Sequence, residues 1–203
     1  MQNFKSNKQA KGFSLLELML VLAAIVVLGA IVFQQYNKFR VSQQASQEAQ
    51  NLAAAATAIK GLYTSGNYIS LDAGVAANAN LFPDDMINGT TVTNQFGGAV
   101  TVGPVAATSA LANAANAFTA TAAPSATNVT RYFGIQYADV PSAVCVKLAT
   151  AAAPTFDKVQ VGTTIVKNTS PGITTANRRL MDEASVATAC TGAATVNMVF
   201  VTN

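Results

Sequence analysis

Glu17 is the one charged side chain between Lys11 and Lys38, and it sits inside an apolar run. A carboxylate at the centre of a membrane-spanning helix costs on the order of 2.5–3.5 kcal/mol on insertion scales, so such residues usually have a partner or a task. No Lys or Arg occurs in the 20 residues that follow it, which leaves two readings. A cationic group of another copy of the chain neutralises Glu17, or Glu17 lies shallow and stays wet. The second pair of reactive groups is Cys145 and Cys190, 45 positions apart with no CxxC or other metal spacing. In an oxidising compartment they would pair; otherwise they are two free buried thiols. The chain has no histidine, which removes imidazole general bases, His-containing triads and His-ligated metals.

The remaining chemistry is thin. Asp84-Asp85 suggests a cation site, since hard cations take carboxylate oxygens, but two acids after Pro83 fit a helix start better. Asn88-Gly-Thr, Asn128-Val-Thr and Asn168-Thr-Ser match the N-glycosylation pattern, as chance allows in a chain rich in Thr and Asn. Gly97-Gly98 reads as turn chemistry, and no phosphate-binding loop or catalytic acid pair stands out. The formal charge of +3 is local. Lys5, Lys8 and Lys11 lie in the first twelve residues, which carry no acid, and the remainder is neutral. With only Arg178-Arg179 as a basic pair further on, no nucleic-acid surface is expected, nor any cofactor.

The element that positions Glu17 is legible. Residues 18–33 contain no polar side chain, and residues 13–33 would form a helix about 31 Å long, enough to cross a bilayer core. The lysines before it would stay cytoplasmic and the rest of the chain would lie on the other side. A cleaved secretory signal is the competing reading. It needs a small-residue site and a break, yet no Gly or Pro occurs from Ala30 to Lys60, so the helix runs on.

The string Lys11-Gly12-Phe13-Ser14-Leu15-Leu16-Glu17-Leu18-Met19 resembles the processing motif of type IV pilins and of type II secretion pseudopilins. The resemblance implies that a prepilin peptidase cuts after Gly12 and methylates the new amine of Phe13. It also implies that Glu17 pairs with the N-terminal amine of an adjacent subunit during assembly. The domain size is closest to type IVb pilins. Phe13 is more typical of type IVa, and the 12-residue leader is intermediate.

Beyond the span, Val41, Ala45, Ala49, Leu52, Ala56, Ile59 and Tyr63 recur at intervals of three and four, one face of a helix. The stripe is expected to pack on the chain's own globular domain, with a coiled coil as the competitor. A single helix over residues 14–62 would be about 73 Å long. Residues 64–203 read as an α+β domain. Strands are expected over 98–105, 130–137, 156–166 (broken at Gly162) and 195–202. A loop with a short helix is expected over 106–127, and a helix from Asp139 or Pro141 to about Ala151, with Asp139 as its cap. The expected fold class is therefore α+β, a long N-terminal helix on a C-terminal antiparallel sheet. It divides into a leader (1–12), a transmembrane and polymerisation helix (13–33), its amphipathic continuation (34–63) and a head (64–203). In the resembling family a C-terminal disulfide bounds a variable surface region, and Cys145 and Cys190 match that placement.

The function that follows is that of a structural subunit of a type IV pilus, not an enzyme. Its partners would be copies of itself, the prepilin peptidase, the assembly machinery of the inner membrane, and a host-cell or recipient-cell surface. It would start as a single-pass inner-membrane precursor and end in a surface fibre for adhesion, aggregation or mating contact. A minor pilin or pseudopilin is the alternative. A membrane-anchored enzyme has no catalytic constellation to support it.

Overall fold

The computed structural model describes residues 15–105, 131–169 and 180–203. It divides into two compact units, residues 1–40 and residues 41–203. Helix α1, Leu15–Leu62, is a single element of 48 residues that contributes to both. In the first unit its described side chains are exposed, and it is long and apolar enough to cross a membrane.

The second unit is built on an antiparallel sheet. Its strands are β1 (Ile87–Asn88), β2 (Thr91–Thr93), β3 (Ala99–Val105), β4 (Tyr132–Pro141), β5 (Lys158–Val161), β6 (Thr164–Asn168) and β7 (Thr195–Thr202). Among the described residues the order is β1-β2-β3-β4-β7-β5-β6, so the C-terminal strand sits between β4 and β5. Among the described residues three further helices pack with it: α2 (Ala73–Asn78), α3 (Ser142–Ala152) and α4 (Glu183–Thr191).

The period of the stripe in α1 explains the packing. Ala45, Ala49, Leu52, Ala56 and Ile59 are buried, and Val41 and Tyr63 pack partly against the same core. Alternate residues of the sheet meet them: Val100 and Val102 of β3, Phe133, Ile135 and Tyr137 of β4, Val159 and Val161 of β5, and Met198 and Phe200 of β7. The small alanines let the sheet approach the helix, while Leu52 and Ile59 each contribute about 1.5–3 kcal/mol by full burial. Tyr68 stacks on Phe133 at 4.7 Å and Phe156 on Phe200 at 5.3 Å, so aromatic rings close the core.

Turn chemistry falls where Asn88-Gly89 and Gly162 stand. Gly89 (φ 64°) joins β1 to β2 and Gly162 (φ 57°) joins β5 to β6. Asp84-Asp85 forms a single 3-10 turn, Asp84–Met86, and no group of three metal-ligating side chains occurs among the described residues.

The expected cap at Asp139 is corrected. β4 continues to Pro141, pairing Val140 with Val196 and Pro141 with Thr195 beyond a register shift after Tyr137. Asp139 lies in that irregularity with φ 55°, a left-handed conformation that Asp tolerates better than most residues. Its N–H donates to Asn197 Oδ1 at 3.3 Å. α3 begins only at Ser142 and has no side-chain cap. Strand periodicity runs past the acid and overrides the local capping signal. The expected loop over 106–127 lies outside the described residues.

Candidate assembly interface

Two surfaces bear on function. The first is α1 of the N-terminal unit. Leu15 is 74% exposed, Leu16 72%, Phe33 65% and Phe39 61%, with the intervening large side chains open as well. Side chains point outward all round the helix, so the surface is an apolar cylinder and not a stripe. A cylinder of this kind belongs in lipid or against other apolar helices. Glu17 is exposed on its first turn. Gly12 and Phe13 lie outside the described residues.

The second surface is the face bounded by the cysteines. Cys145 on α3 and Cys190 on α4 form a disulfide with their Cα atoms 5.8 Å apart, and both residues are buried. Position 190 lies in the last turn of a helix that the sequence reading did not anticipate. Its signal was present: Asp182 caps α4, its carboxylate accepting from Ser185 N at 3.1 Å and from Ser185 Oγ at 2.6 Å. Gly192 ends the helix. An Asp followed by an Ala-rich run and a Gly is a helix signature, but a nine-residue stretch in which six residues are Ala, Thr or Ser lacks an apolar period.

The disulfide ties α4 to α3, and Lys167 on β6 ties the sheet edge to the end of α3. Its ammonium donates to Ala153 O at the C-cap of α3 and, at 2.7 Å, to Phe156 O just beyond it, a cation set at the helix C-terminus. Partial burial pushes the Lys167 amine down from its ordinary value, with Asp157 opposing. Between the β5–β6 turn and α4 runs a shallow groove lined by Thr163, Thr164, Ser185 and Thr188 among others. It is hydroxyl-rich, and no charged side chain is among its lining residues.

One buried charged side chain lies outside the sequence expectations. Glu48 is wholly buried beside the apolar stripe of α1, at i+3 from Ala45 and i−4 from Leu52. It accepts hydrogen bonds from Gln95 N at 2.6 Å and from Tyr137 Oη at 3.1 Å. Burial pushes its carboxyl above the usual range, the hydrogen bonds opposing this and Asp85 adding to it. The Tyr137 hydroxyl is pushed up by burial and by Glu48 beside it. The signal was plain: Glu48 is the only charged residue between Arg40 and Lys60, and it stands on the buried face.

Comparison with known proteins adds to this geometry. Residues 7–33 match the family model described as prokaryotic N-terminal methylation motif, and residues 42–203 match that described as PilS N terminal. Over 102 residues the chain is 33% identical to proteins of Escherichia coli O127:H6 (strain E2348/69 / EPEC) and Escherichia coli O111:H-, each called major structural subunit of bundle-forming pilus. The alignment takes in 49% of this chain and 53% of each relative, so the chain spans about half the length of the curated relatives it matches. Among solved structures, TcpA, a type IV pilin from Vibrio cholerae El Tor biotype, has a TM-score of 0.52 at 18% identity, covering 79% of this chain and 99% of that one. A type IV b pilin from Salmonella typhi has a TM-score of 0.51 at 18% identity, covering 76% and 96%. At such identities the likeness shows the fold: a long helix laid on an antiparallel sheet.

Proposed function

The chain belongs to the PilS N terminal family, and from that premise we propose that it is the precursor of a structural type IV pilus subunit, polymerised through α1. The observation that carries the proposal is an exposed apolar helix whose start lies within the match to the methylation motif, on a fold shared with type IV pilins. The precursor is held in the inner membrane by residues 13–33. The prepilin peptidase cuts after Gly12 and methylates Phe13, and the assembly machinery of that membrane adds the mature subunit to a surface fibre. The face between Cys145 and Cys190 is then the part that meets a host cell, a recipient cell or another fibre. The relatives named major subunits favour an abundant subunit over a minor one.

In the fibre, the new amine of Phe13 carries a charge into apolar surroundings, and Glu17 of a neighbouring copy neutralises it. Leaving one member of a buried pair alone costs about 3–5 kcal/mol. That is on the order of a hundredfold to several thousandfold per contact. Glu17→Ala should therefore insert and be cleaved as the parent chain is, while sheared surface material loses its fibres. Intact fibres in normal amount from this variant would refute the pairing role. A mature N-terminus other than Phe13, read by mass spectrometry, would refute the processing assignment separately.

A further inference from the structure

Glu48 serves neither the assembly chemistry nor the contact face, yet three elements converge on it. From the β2–β3 turn, the Gln95 N–H donates to one carboxyl oxygen. From β4, the Tyr137 hydroxyl donates to the other. From its own helix, Asn51 adds a side-chain hydrogen bond. The turn is itself locked to β4. Buried Asn94 accepts from Phe96 N at 2.9 Å and Gly98 N at 3.0 Å, and its amide donates to Ala138 O at 2.7 Å. The charged group facing Glu48 is Asp85, of like sign, on the 3-10 turn. Among the described residues no lysine or arginine forms an ion pair with it.

A buried carboxyl in that setting has an unusual freedom. When ionised, it accepts from both Gln95 and Tyr137. When neutral, its carbonyl oxygen still accepts from Gln95, and its own O–H donates to the Tyr137 oxygen, because a phenol hydroxyl both donates and accepts. Both bonds survive titration, and only the buried charge is lost. We propose that Glu48, Tyr137 and the Gln95 amide form a proton-accepting latch between α1 and the sheet, one that holds in both charge states and tightens as the surroundings acidify. The latch lies wholly within residues 41–203 and stands whether or not the chain polymerises.

The direction follows from linkage. Burial raises the folded-state pKa of Glu48 above its ordinary value of 4.5, so between 4.5 and that raised value the native state holds more protons than the unfolded one. Its contribution is greatest below 4.5 and is lost as pH rises through the folded pKa. Paired carboxylates commonly behave in the opposite way and destabilise a domain in acid.

The test uses the full chain in detergent micelles, with the urea midpoint followed from about pH 4.5 to neutrality by tyrosine fluorescence. Glu48→Gln keeps the shape and both hydrogen-bonding atoms but cannot titrate. Relative to this variant, the wild-type midpoint should fall as pH rises, and at neutral pH Glu48→Gln should be at least as resistant as wild type. Glu48→Ala, which orphans the Gln95 N–H, should be weaker at every pH. The chain has three glutamates, so carbon-13 glutamate labelling gives a simple infrared spectrum. The neutral carboxylic acid band should persist above pH 4.5 in wild type and shrink in Glu48→Gln. Parallel pH profiles for wild type and Glu48→Gln, or no change in that band, would overturn the latch. A Glu48→Gln midpoint as low as that of Glu48→Ala would overturn it as well.

Discussion

Replacing both cysteines, Cys145→Ala with Cys190→Ala, should strip the head of a large share of its stability. The bridge closes a separation of 45 residues. For a loop of that length the chain-entropy relation gives about 4 kcal/mol at 25 °C, from restricting the unfolded chain. Both residues are buried, so the variant also leaves two sulfur-sized gaps, each worth about 1 kcal/mol if unfilled. The expected total of about 4–6 kcal/mol compares with the roughly 5–15 kcal/mol by which whole domains are stable. The sequence has no tryptophan, so unfolding of the full chain in detergent is best followed by tyrosine fluorescence and far-ultraviolet circular dichroism. The urea midpoint should drop and the slope should rise, because the uncrosslinked unfolded chain exposes more surface. Reduced wild type separates the two causes, since it loses the bridge and keeps the sulfur volume. If oxidised and reduced wild type unfolded within about 1 kcal/mol of each other, the argument from unfolded-state restriction would be wrong.

Two further substitutions follow from local geometry. A Cβ at residue 98 would stand 2.0 Å from Ala138 O, a backbone atom that cannot swing aside, so Gly98→Ala should cost about 3 kcal/mol, near the top of the range for overpacking. Gly66→Ala, where no atom lies within 4 Å, is the control: its strain comes from φ alone, and a larger midpoint loss there than at Gly98 would count against the steric account. Asp182→Ala removes the cap of α4 and should cost about 1 kcal/mol in the same unfolding assay. Asp182→Asn should restore most of it, and an Asn variant as weak as Ala would reject capping as the cause.

Much of this architecture was legible because hydrophobic period is a direct record of packing. The stripe from Val41 to Tyr63 named the buried face of α1, and the segment 130–137 read as the strand in which the structure buries Phe133, Ile135 and Tyr137. Gly162 separated β5 from β6 because a left-handed turn residue is a local demand that glycine meets cheaply. Legibility failed where tertiary contacts set the outcome. α4 buries little more than Val186 and Cys190, so its sequence shows almost no period. β1 and β2 are two and three residues long, too short for alternation to register. Glu48 escaped notice because a charged residue is ordinarily assigned to the wet side of a helix. Its partners, Gln95 and Tyr137, are 47 and 89 positions away, and no local pattern announces them.

The proposed assembly turns on a balance that the apolar surface of α1 cannot set by itself. Lipid tails are as apolar as leucine, so moving the exposed side chains of Leu15 to Phe39 from a bilayer into a bundle of like helices gains little hydrophobic free energy. Close packing and the order of surrounding lipid supply something, but both are indifferent to axial register. A carboxylate at residue 17 is different. In a bilayer it carries a cost of up to about 2.5–3.5 kcal/mol, the value at a helix centre, and in a fibre that cost is relieved only where a cationic chain end lies beside it. The relief is local, so it selects one stagger of neighbouring helices from many with equal apolar contact. Glu17→Asp shortens the side chain by one methylene while keeping its charge. It should assemble poorly, whereas neutral Glu17→Gln should either fail or yield fibres with scattered stagger. If Glu17→Gln gave fibres with the wild-type axial repeat by electron microscopy, charge neutralisation would not be what sets register, and packing alone would have to explain it.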